Sequence, residues 1–322
     1  MIKGFLSRPS SALRLAVGAK LIFFMKYIID SHSHIQFPVY DSDRSDVIAR
    51  ALESGVKMIA VGTQISTSEA GIRLAKENPE NIWASVGYHP SHVLVGRSDI
   101  LVGTAYVWHH DRNEQSEAEP EKFDIGKLSK LAADPMVVAI GECGLDYFRL
   151  SESEKSLAPG RAGGQAKVKS LQKEVFLQQA ELAQKLNKAL MIHCRPAKGT
   201  DDAYEDLLSM IPDEKFPIPK IVHFYVGGPE ITRKLVDAGF YFTLGGVVTF
   251  ARDYDGSIRL IPADRILLET DCPYVAPKSR RGKRNEPSFI RETAETVARI
   301  KDMGTDDFLK LVYVTSRKVF RI

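Results

Sequence analysis

Short apolar runs recur along this chain and alternate with stretches of helical periodicity. Most of these runs are continuous, with few polar interruptions, as is typical of strands buried on both faces of a parallel sheet. They predict eight strands: Lys26–Asp30, Lys57–Val61, Ile82–Tyr88, Val137–Glu142, Ala189–His193, Lys220–His223, Phe240–Leu244 and Ile266–Thr270.

Amphipathic stretches between the runs predict helices. The clearest are Asp43–Ser54, Ser66–Asn78, Gln172–Leu186, Thr232–Ala238 and Pro287–Lys301. Strands separated by helices indicate βαβ units and a parallel sheet. Since neither repeats nor a composition break mark a second domain, we expect one (β/α)8 barrel of the TIM type over residues 25–322.

Two long polar segments interrupt this alternation, near residues 91–121 and 151–167. Both follow predicted strands, so in a barrel both would lie over the mouth, at the carboxyl ends of the strands. Long loops in that position are often functional.

Residues 1–24 form a basic extension that differs from the rest of the chain. They contain four basic residues and no acid, so the net charge of +3 becomes −1 over the remainder. The segment is too short and too charged to span a bilayer. It is either an extension upstream of the true start at Met25 or a presequence. We therefore expect a cytoplasmic protein, or an organellar one in the second case, without a membrane partner. Affinity for nucleic acid then requires a local basic patch.

Six residues of types that commonly bind metals stand at the ends of predicted strands: His32, His34, Glu142, His193, His223 and Asp271. The carboxyl ends of all strands in a barrel meet at one mouth, so residues far apart in the chain can share a site. The His-x-His pair fits this, because alternate residues of a strand share a face. Taken singly, Glu142 could pair with a lysine, and His193 or His223 could be a core histidine.

Six ligands exceed one tetrahedral site and therefore favour two divalent ions that share a carboxylate. Our hypothesis assigns His32, His34 and Asp271 to one ion and His193 and His223 to the other, with Glu142 as the bridge. Asp271 is also the candidate base that takes a proton from the attacking water. Four imidazoles favour Zn²⁺ or Mn²⁺, while two carboxylates keep Mg²⁺ possible.

The three cysteines, Cys143, Cys194 and Cys272, directly follow candidate ligands. We interpret them as packing residues in a reducing compartment rather than thiolate ligands.

Several segments together resemble the TatD family of metal-dependent deoxyribonucleases, within the amidohydrolase-like barrels. The similarity extends over residues 26–320. It is carried by DSHSH at 30–34, VGYHP at 86–90, AIGECGLDY at 139–147, MIHCR at 191–195, VHF at 222–224, LGGVVTFA at 244–251, LLETDCPYVAP at 267–277 and RGKRNEP at 281–287. The resemblance implies a (β/α)8 barrel, two divalent ions and 3′→5′ exonucleolytic hydrolysis of DNA, favouring single strands. It maps the family's metal residues onto the six residues above, and it implies that His89 faces the scissile phosphate. The alternative role for His89 is a capping histidine before Pro90.

A basic run after Asp271 is the candidate for contact with phosphate. Lys278, Arg280, Arg281, Lys283 and Arg284 place five positive charges in seven residues. Such a run is either a solvated loop or, beside metal ligands, a phosphate-binding loop. We assign Arg281, Lys283 and Arg284 to phosphate, with Arg195 as a further contact. Four aromatic residues near strand ends either stack bases or belong to the core: Tyr88, Tyr147, Phe148 and Tyr274.

The expected partner is DNA, as single strands or 3′ ends, and we expect a monomer. Two other functions stay open at this point. The same ligands suit a deacylase, such as one that removes a D-amino acid from tRNA, because ions polarise carbonyl and phosphoryl groups alike. A non-catalytic binding barrel is the third possibility, although its ligand set would be expected to have decayed.

Overall fold

The computed structural model describes residues 27–93, 121–148, 150 and 163–322. Eight parallel strands close into a barrel in chain order, which confirms the predicted fold. The strands are β1 Ile28–Ser33, β2 Val56–Val61, β3 Ile82–Val86, β4 Val137–Asp146, β5 Ala189–Arg195, β6 Lys220–Val222, β7 Tyr241–Leu244 and β8 Ile266–Leu268.

Helices separate most of the strands within these ranges. They are α1 Arg44–Glu53, α2 Ile65–Glu77, α3 Ile125–Ala132, α4 Gly163–Leu186, α5 Asp202–Met210, α6 Pro229–Asp237, α7 Asp255–Leu260, α8 Ile290–Ile300 and α9 Thr305–Phe320. All five predicted helices are present with shifted ends, whereas α3, α5, α7 and α9 were not among them. Among the described residues, no helix has the length and apolar character needed to cross a membrane.

Capping side chains or a proline mark the first residues of several of these helices. The Thr67 hydroxyl accepts a hydrogen bond from the Gln64 backbone N–H at 3.1 Å, at the start of α2. The Asp124 carboxylate accepts a hydrogen bond from the backbone N–H of Lys127 and caps α3. Pro229, directly after Gly228, begins α6, where a missing backbone N–H costs nothing.

Strands β4 and β5 extend four and two residues beyond the predicted ends. Gly144 pairs with His193 and Asp146 with Arg195, so the ladder continues through polar residues. This pairing needs glycine in β4. Gly144 has φ = 146°, and a Cβ there would lie 1.9 Å from the His193 carbonyl oxygen. The candidate ligands of β4 and β5 therefore lie within paired strands rather than in loops.

Helix α9 closes the amino-terminal end of the barrel. Tyr313 and Phe320 of this helix belong to the same buried cluster as Ile29, Ile59 and Leu267 of the strands. A second apolar layer lies between the strands and the surrounding helices. Polar residues therefore converge at the other end of the barrel, where the strands have their carboxyl ends.

Parts of the two polar segments and the N-terminal extension lie outside the described residues. These are residues 1–26, which include Lys26 of the first predicted strand, residues 94–120, residue 149 and residues 151–162. In the segment 151–167, residues 163–167 belong to α4 rather than to a loop. The division into an extension at 1–24 and one barrel at 25–322 stays a prediction.

Candidate metal centre

The structure brings all six candidate ligands together at the mouth. His32 lies in β1 and Glu142 in β4, and His193 lies in β5. His34 and His223 directly follow β1 and β6, and Asp271 follows β8 after two residues. Four of the six are buried, and the Asp271 side chain is 14% exposed. His193 is the exception among the histidines, being partly exposed.

Donor atoms of β1 and of the segment after β8 form the first of two clusters. His32 Nε2 and His34 Nε2 are 3.2 Å apart. Asp271 Oδ1 lies 3.8 Å from the former and 3.4 Å from the latter. Glu142 Oε2 completes the cluster at 3.4 Å from His32 Nε2 and 3.7 Å from His34 Nε2. We call these four donors the first cluster.

The other oxygen of Glu142 lies in a second cluster of imidazole nitrogens. Glu142 Oε1 is 2.9 Å from His193 Nδ1 and 2.8 Å from His223 Nε2. Those two nitrogens are 3.3 Å apart. His89 Nε2 also reaches this group, at 3.2 Å from His193 Nδ1 and 3.4 Å from Glu142 Oε1. One carboxylate thus joins two groups of donors.

These separations fit divalent ions. An ion that binds nitrogen and oxygen at roughly 2.0–2.2 Å in a tetrahedron holds those atoms about 3.3–3.6 Å apart. The distances within the two clusters scatter around that range. Among the described residues, the groups of three with suitably close donors are His32–His34–Asp271, His89–Glu142–His193 and His32–His223–Glu269. The donor set therefore suits metal binding.

Electrostatics at the centre keep Glu142 ionised. Burial would raise the pKa of this carboxyl, but the neighbouring His223 and His89 and the hydrogen bond with His193 lower it well below its usual range. For His223, burial would lower the pKa, and the Glu142 charge reverses this and raises it well above its ordinary value. Burial and the nearby His223 lower the pKa of His32. A buried negative charge surrounded by imidazoles is thus available to a cation.

Two buried carboxylates lie behind the second cluster, and sequence reasoning missed both. Asp146 Oδ2 is 3.3 Å from His193 Nε2, and Glu269 Oε2 is 3.7 Å from His223 Nδ1. Glu269 also accepts hydrogen bonds from the Phe224 backbone N–H, at 2.7 Å, and from the Thr243 hydroxyl, at 2.5 Å. A carboxylate behind an imidazole orients the ring and makes it a stronger ligand. A signal was present: Asp146 is four residues beyond Glu142, on the same face of an extended strand.

The first cluster is supported differently. His34 Nδ1 contacts the Val61 carbonyl oxygen at 2.8 Å, and His32 Nδ1 has no hydrogen-bond partner in the described part of the chain. Beneath them, Asp30 accepts hydrogen bonds from the Thr270 backbone N–H at 2.9 Å and the Thr270 hydroxyl at 2.5 Å. Burial raises the pKa of Asp30 to about 8, although the hydrogen bonds with Thr270 lower it. Asp30 therefore ties β1 to the segment that carries Asp271.

His89 caps a short helix and also faces the second cluster, while its contact with phosphate stays a prediction. Its Nδ1 accepts a hydrogen bond from the Ser91 backbone N–H at 3.1 Å and so caps the short 3-10 helix Pro90–His92. Its Nε2 faces the second cluster. Capping fixes the ring so that the opposite nitrogen points into the centre.

The arginines assigned to phosphate differ in their surroundings. Arg284 makes a bidentate ion pair with Asp43, at 2.9 and 2.6 Å, and donates to the Val39 carbonyl oxygen at 2.9 Å. Lys283 and Arg281 are exposed, and the Arg281 guanidinium lies 4.0 Å from the centre of the Phe250 ring. Arg284 thus holds the loop against the start of α1, whereas Arg281 and Lys283 face solvent.

Arg195 and the aromatic residues near the strand ends also divide into exposed and buried side chains. Arg195 is exposed, with its guanidinium 3.9 Å from the centre of the Phe148 ring. Tyr88 and Tyr147 are buried, and their hydroxyls donate to the Lys122 carbonyl oxygen at 2.9 Å and to Asp206 at 2.8 Å. These two rings belong to the core and cannot stack on a base. Phe148 and Tyr274 are partly exposed.

Comparison with protein families and curated proteins gives consistent matches over almost the whole described barrel. The family model described as TatD related DNase matches residues 29–321. Similar proteins include the uncharacterized metal-dependent hydrolase YabD of Bacillus subtilis, 32% identical over 92% of this chain and 99% of the relative. YcfH of Escherichia coli, also named an uncharacterized metal-dependent hydrolase, is 31% identical over 92% and 96%. The 3′-5′ ssDNA/RNA exonuclease TatD of Salmonella typhimurium is 30% identical over 80% and 85%.

Solved structures agree on the fold. The TatD homologue YJJV of Escherichia coli has a TM-score of 0.69 and 21% identity over 92% of this chain and 99% of its own. A TatD family hydrolase of Entamoeba histolytica has a TM-score of 0.66 and 21% identity over 91% and 98%.

Proposed function

Because the chain belongs to the TatD-related DNase family of metal-dependent hydrolases, we propose that it is a two-metal nuclease that degrades DNA from the 3′ end. One observation carries the proposal: the two oxygens of Glu142 lie in separate clusters of ligand atoms. A shared carboxylate is how a pair of ions about 3.5–4 Å apart is held for displacement at phosphorus.

In this proposal each cluster holds one divalent ion. His32, His34 and Asp271 would hold the first ion and His193 and His223 the second, with Glu142 available to both. Bound ions would polarise a phosphoryl oxygen and supply hydroxide at neutral pH. The imidazole-rich donor set favours Zn²⁺ or Mn²⁺ and still admits Mg²⁺.

Asp271 is the residue that we assign to proton transfer. Its side chain is 14% exposed against 5% for Glu142, so incoming water reaches it more readily. Its backbone N–H donates to the His32 carbonyl oxygen at 2.9 Å, which holds the carboxylate beside β1. A carboxylate within hydrogen-bond reach of water serves as a general base.

The substrate assignment rests on charge at the mouth and on a relative. We assign His89, Arg195, Arg281 and Lys283 to the phosphates that flank the reacting bond. Arg284 acts mainly through Asp43 in placing their loop. The Salmonella typhimurium relative is named as an exonuclease of single-stranded DNA and RNA, which supports a nucleic acid substrate.

Digestion of a 5′-labelled single-stranded DNA with added Zn²⁺, Mn²⁺ or Mg²⁺ tests the proposal. We expect a ladder that shortens from the 3′ end, and no ladder with EDTA or with Asp271→Asn. Shortening from the 5′ end would correct the polarity. If the protein releases an amino acid from acylated tRNA in a metal-dependent manner and does not cleave DNA, it is a deacylase rather than a nuclease.

A further inference from the structure

Two exposed arginines lie closest over phenylalanine rings: the guanidinium of Arg195 is 3.9 Å from the centre of the Phe148 ring, and that of Arg281 is 4.0 Å from the centre of the Phe250 ring. We propose that these pairs are two stacking platforms that hold the bases of a single-stranded polynucleotide on opposite sides of the metal centre. The proposal rests on the proposed function and adds the residues that select single strands. We call them the Phe148 platform and the Phe250 platform.

The Phe148 platform is continuous with the second cluster. Arg195 is the last residue of β5 and lies two residues beyond His193, so both side chains leave the strand on the same face. Arg195 is therefore about 7 Å further toward solvent than His193. Phe148 follows β4 by two residues, and Asp146 of that strand pairs with Arg195. Both residues of the platform thus stand above ligands of the centre.

The Phe250 platform is built from the segments after β7 and β8. Phe250 follows the 3-10 helix Gly246–Thr249, and the Lys278 backbone N–H donates to the Thr249 hydroxyl at 2.8 Å. A Cβ at Gly246 would lie 2.4 Å from the Val275 carbonyl oxygen, so glycine permits the close approach of the two segments. This packing places Arg281 over Phe250.

The two platforms are on different sides of the barrel mouth. One stands at β4 and β5 and the other at β7 and β8, and the strands close in chain order. Strand β6 lies between them on one side of the ring, and β1 to β3 lie between them on the other. The clusters lie between, so a strand that crosses the mouth meets both platforms and the centre.

The chemistry of each pair suits an unpaired base. A guanidinium held over a ring presents a flat cationic surface on which a base can stack, while its N–H edge reaches phosphate. Neither arginine has a carboxylate partner among the described residues, in contrast to Arg284 with Asp43. Bases in a duplex are already stacked on one another, so the platforms would favour single strands.

Variants that keep charge but remove stacking test this inference. Binding of a fluorescent, hydrolysis-resistant phosphorothioate oligonucleotide is measured by anisotropy for Arg281→Lys, Phe250→Leu, Arg195→Lys and Phe148→Leu. We expect each to weaken single-strand affinity about fivefold or more, with an unchanged salt slope and little effect on duplex. The two changes within one platform should be less than additive, and changes in different platforms should add.

Lys283→Ala is the matched control, because it removes an exposed charge from the same loop without a ring. It should lower the salt slope by about one and weaken single strands and duplex alike. Equal losses for single strands and duplex in the four platform variants would overturn the stacking proposal. Wild-type protein that fails to bind single strands would overturn it too.

Hydrolysis of bis(p-nitrophenyl) phosphate separates this inference from the proposed function. That small diester tests the metal centre without reaching either platform. If wild type, Phe148→Leu and Phe250→Leu hydrolyse it equally and both variants keep the oligonucleotide affinity of wild type, the platforms are ruled out while the metal centre is not. A wild type that fails to hydrolyse it with any of the three metals would count against the nuclease, whatever the binding result.

Discussion

The two clusters of the metal centre share Glu142 but are supported in different ways. Behind His193 and His223 stand the buried carboxylates Asp146 and Glu269. Among the described residues, the group behind His34 is the Val61 carbonyl oxygen, and His32 Nδ1, like His193 Nε2 and His223 Nδ1, makes no hydrogen bond. The first cluster instead includes the partly exposed Asp271 as a direct donor. The second cluster therefore has imidazoles that lie beside buried negative charge, while the first includes a carboxylate that water can reach.

This difference suggests that the two clusters have different tasks in the proposed mechanism. Imidazoles oriented by buried carboxylates hold an ion firmly and leave little freedom in the ligand geometry. A carboxylate at the solvent-facing side is the better placed for proton transfer with incoming water. The variants below change the shared residue first, then one cluster at a time.

Replacing the shared residue should have the largest effect. Glu142→Gln removes the charge that both clusters use, so we expect kcat to fall about a thousandfold or more. Metal content, measured by elemental analysis after dialysis, should fall for both ions. A folded variant, checked by circular dichroism, that keeps near-normal turnover would contradict the shared-carboxylate assignment.

Asp271→Asn should separate the two clusters. We expect loss of turnover comparable to that of Glu142→Gln, since the proposed base is removed, but with one ion retained in the second cluster. The measurement is the ratio of metal to protein beside the rate of DNA digestion. If both ions are lost, the clusters do not bind independently and the contrast between them fails.

Glu269→Gln should act on the second cluster alone and more weakly. Removing the charge behind His223 is expected to lower affinity for the second ion about 10- to 100-fold. Titration against a chelator measures this, and activity should return at high metal concentration. Glu230→Gln, at an exposed carboxylate, is the matched control. Unchanged affinity would mean that Glu269 serves only to hold Phe224 and Thr243.

The smallest effect is expected at the cysteines that follow ligands of both clusters. Burial raises the pKa of Cys272 to about 12, and burial also raises the pKa values of Cys143 and Cys194. We expect all three thiols to resist alkylation at pH 8 in the folded protein, with or without chelator. Labelling that appears when metal is removed would instead indicate a thiolate ligand.

Much of the architecture could be predicted because its signals are local. The apolar runs located all eight strands within a few residues, and polar residues at their ends pointed to one mouth. Helices with clear amphipathic patterns were predicted as well. The ends of β4 and β5 were not, because a ladder that continues through Gly144 and Asp146 depends on pairing with a strand nearly fifty residues away.

The sequence by itself determined the barrel and which residue types stand at its mouth, since the period of a buried strand and the residue that follows it are properties of contiguous chain. Only the tertiary structure decided how those side chains meet. It directed the two oxygens of Glu142 to different clusters and placed Glu269 behind His223. It also joined Arg284 to Asp43 and left Arg281 over Phe250. These contacts depend on strand register and side-chain direction between distant segments, which no local pattern encodes.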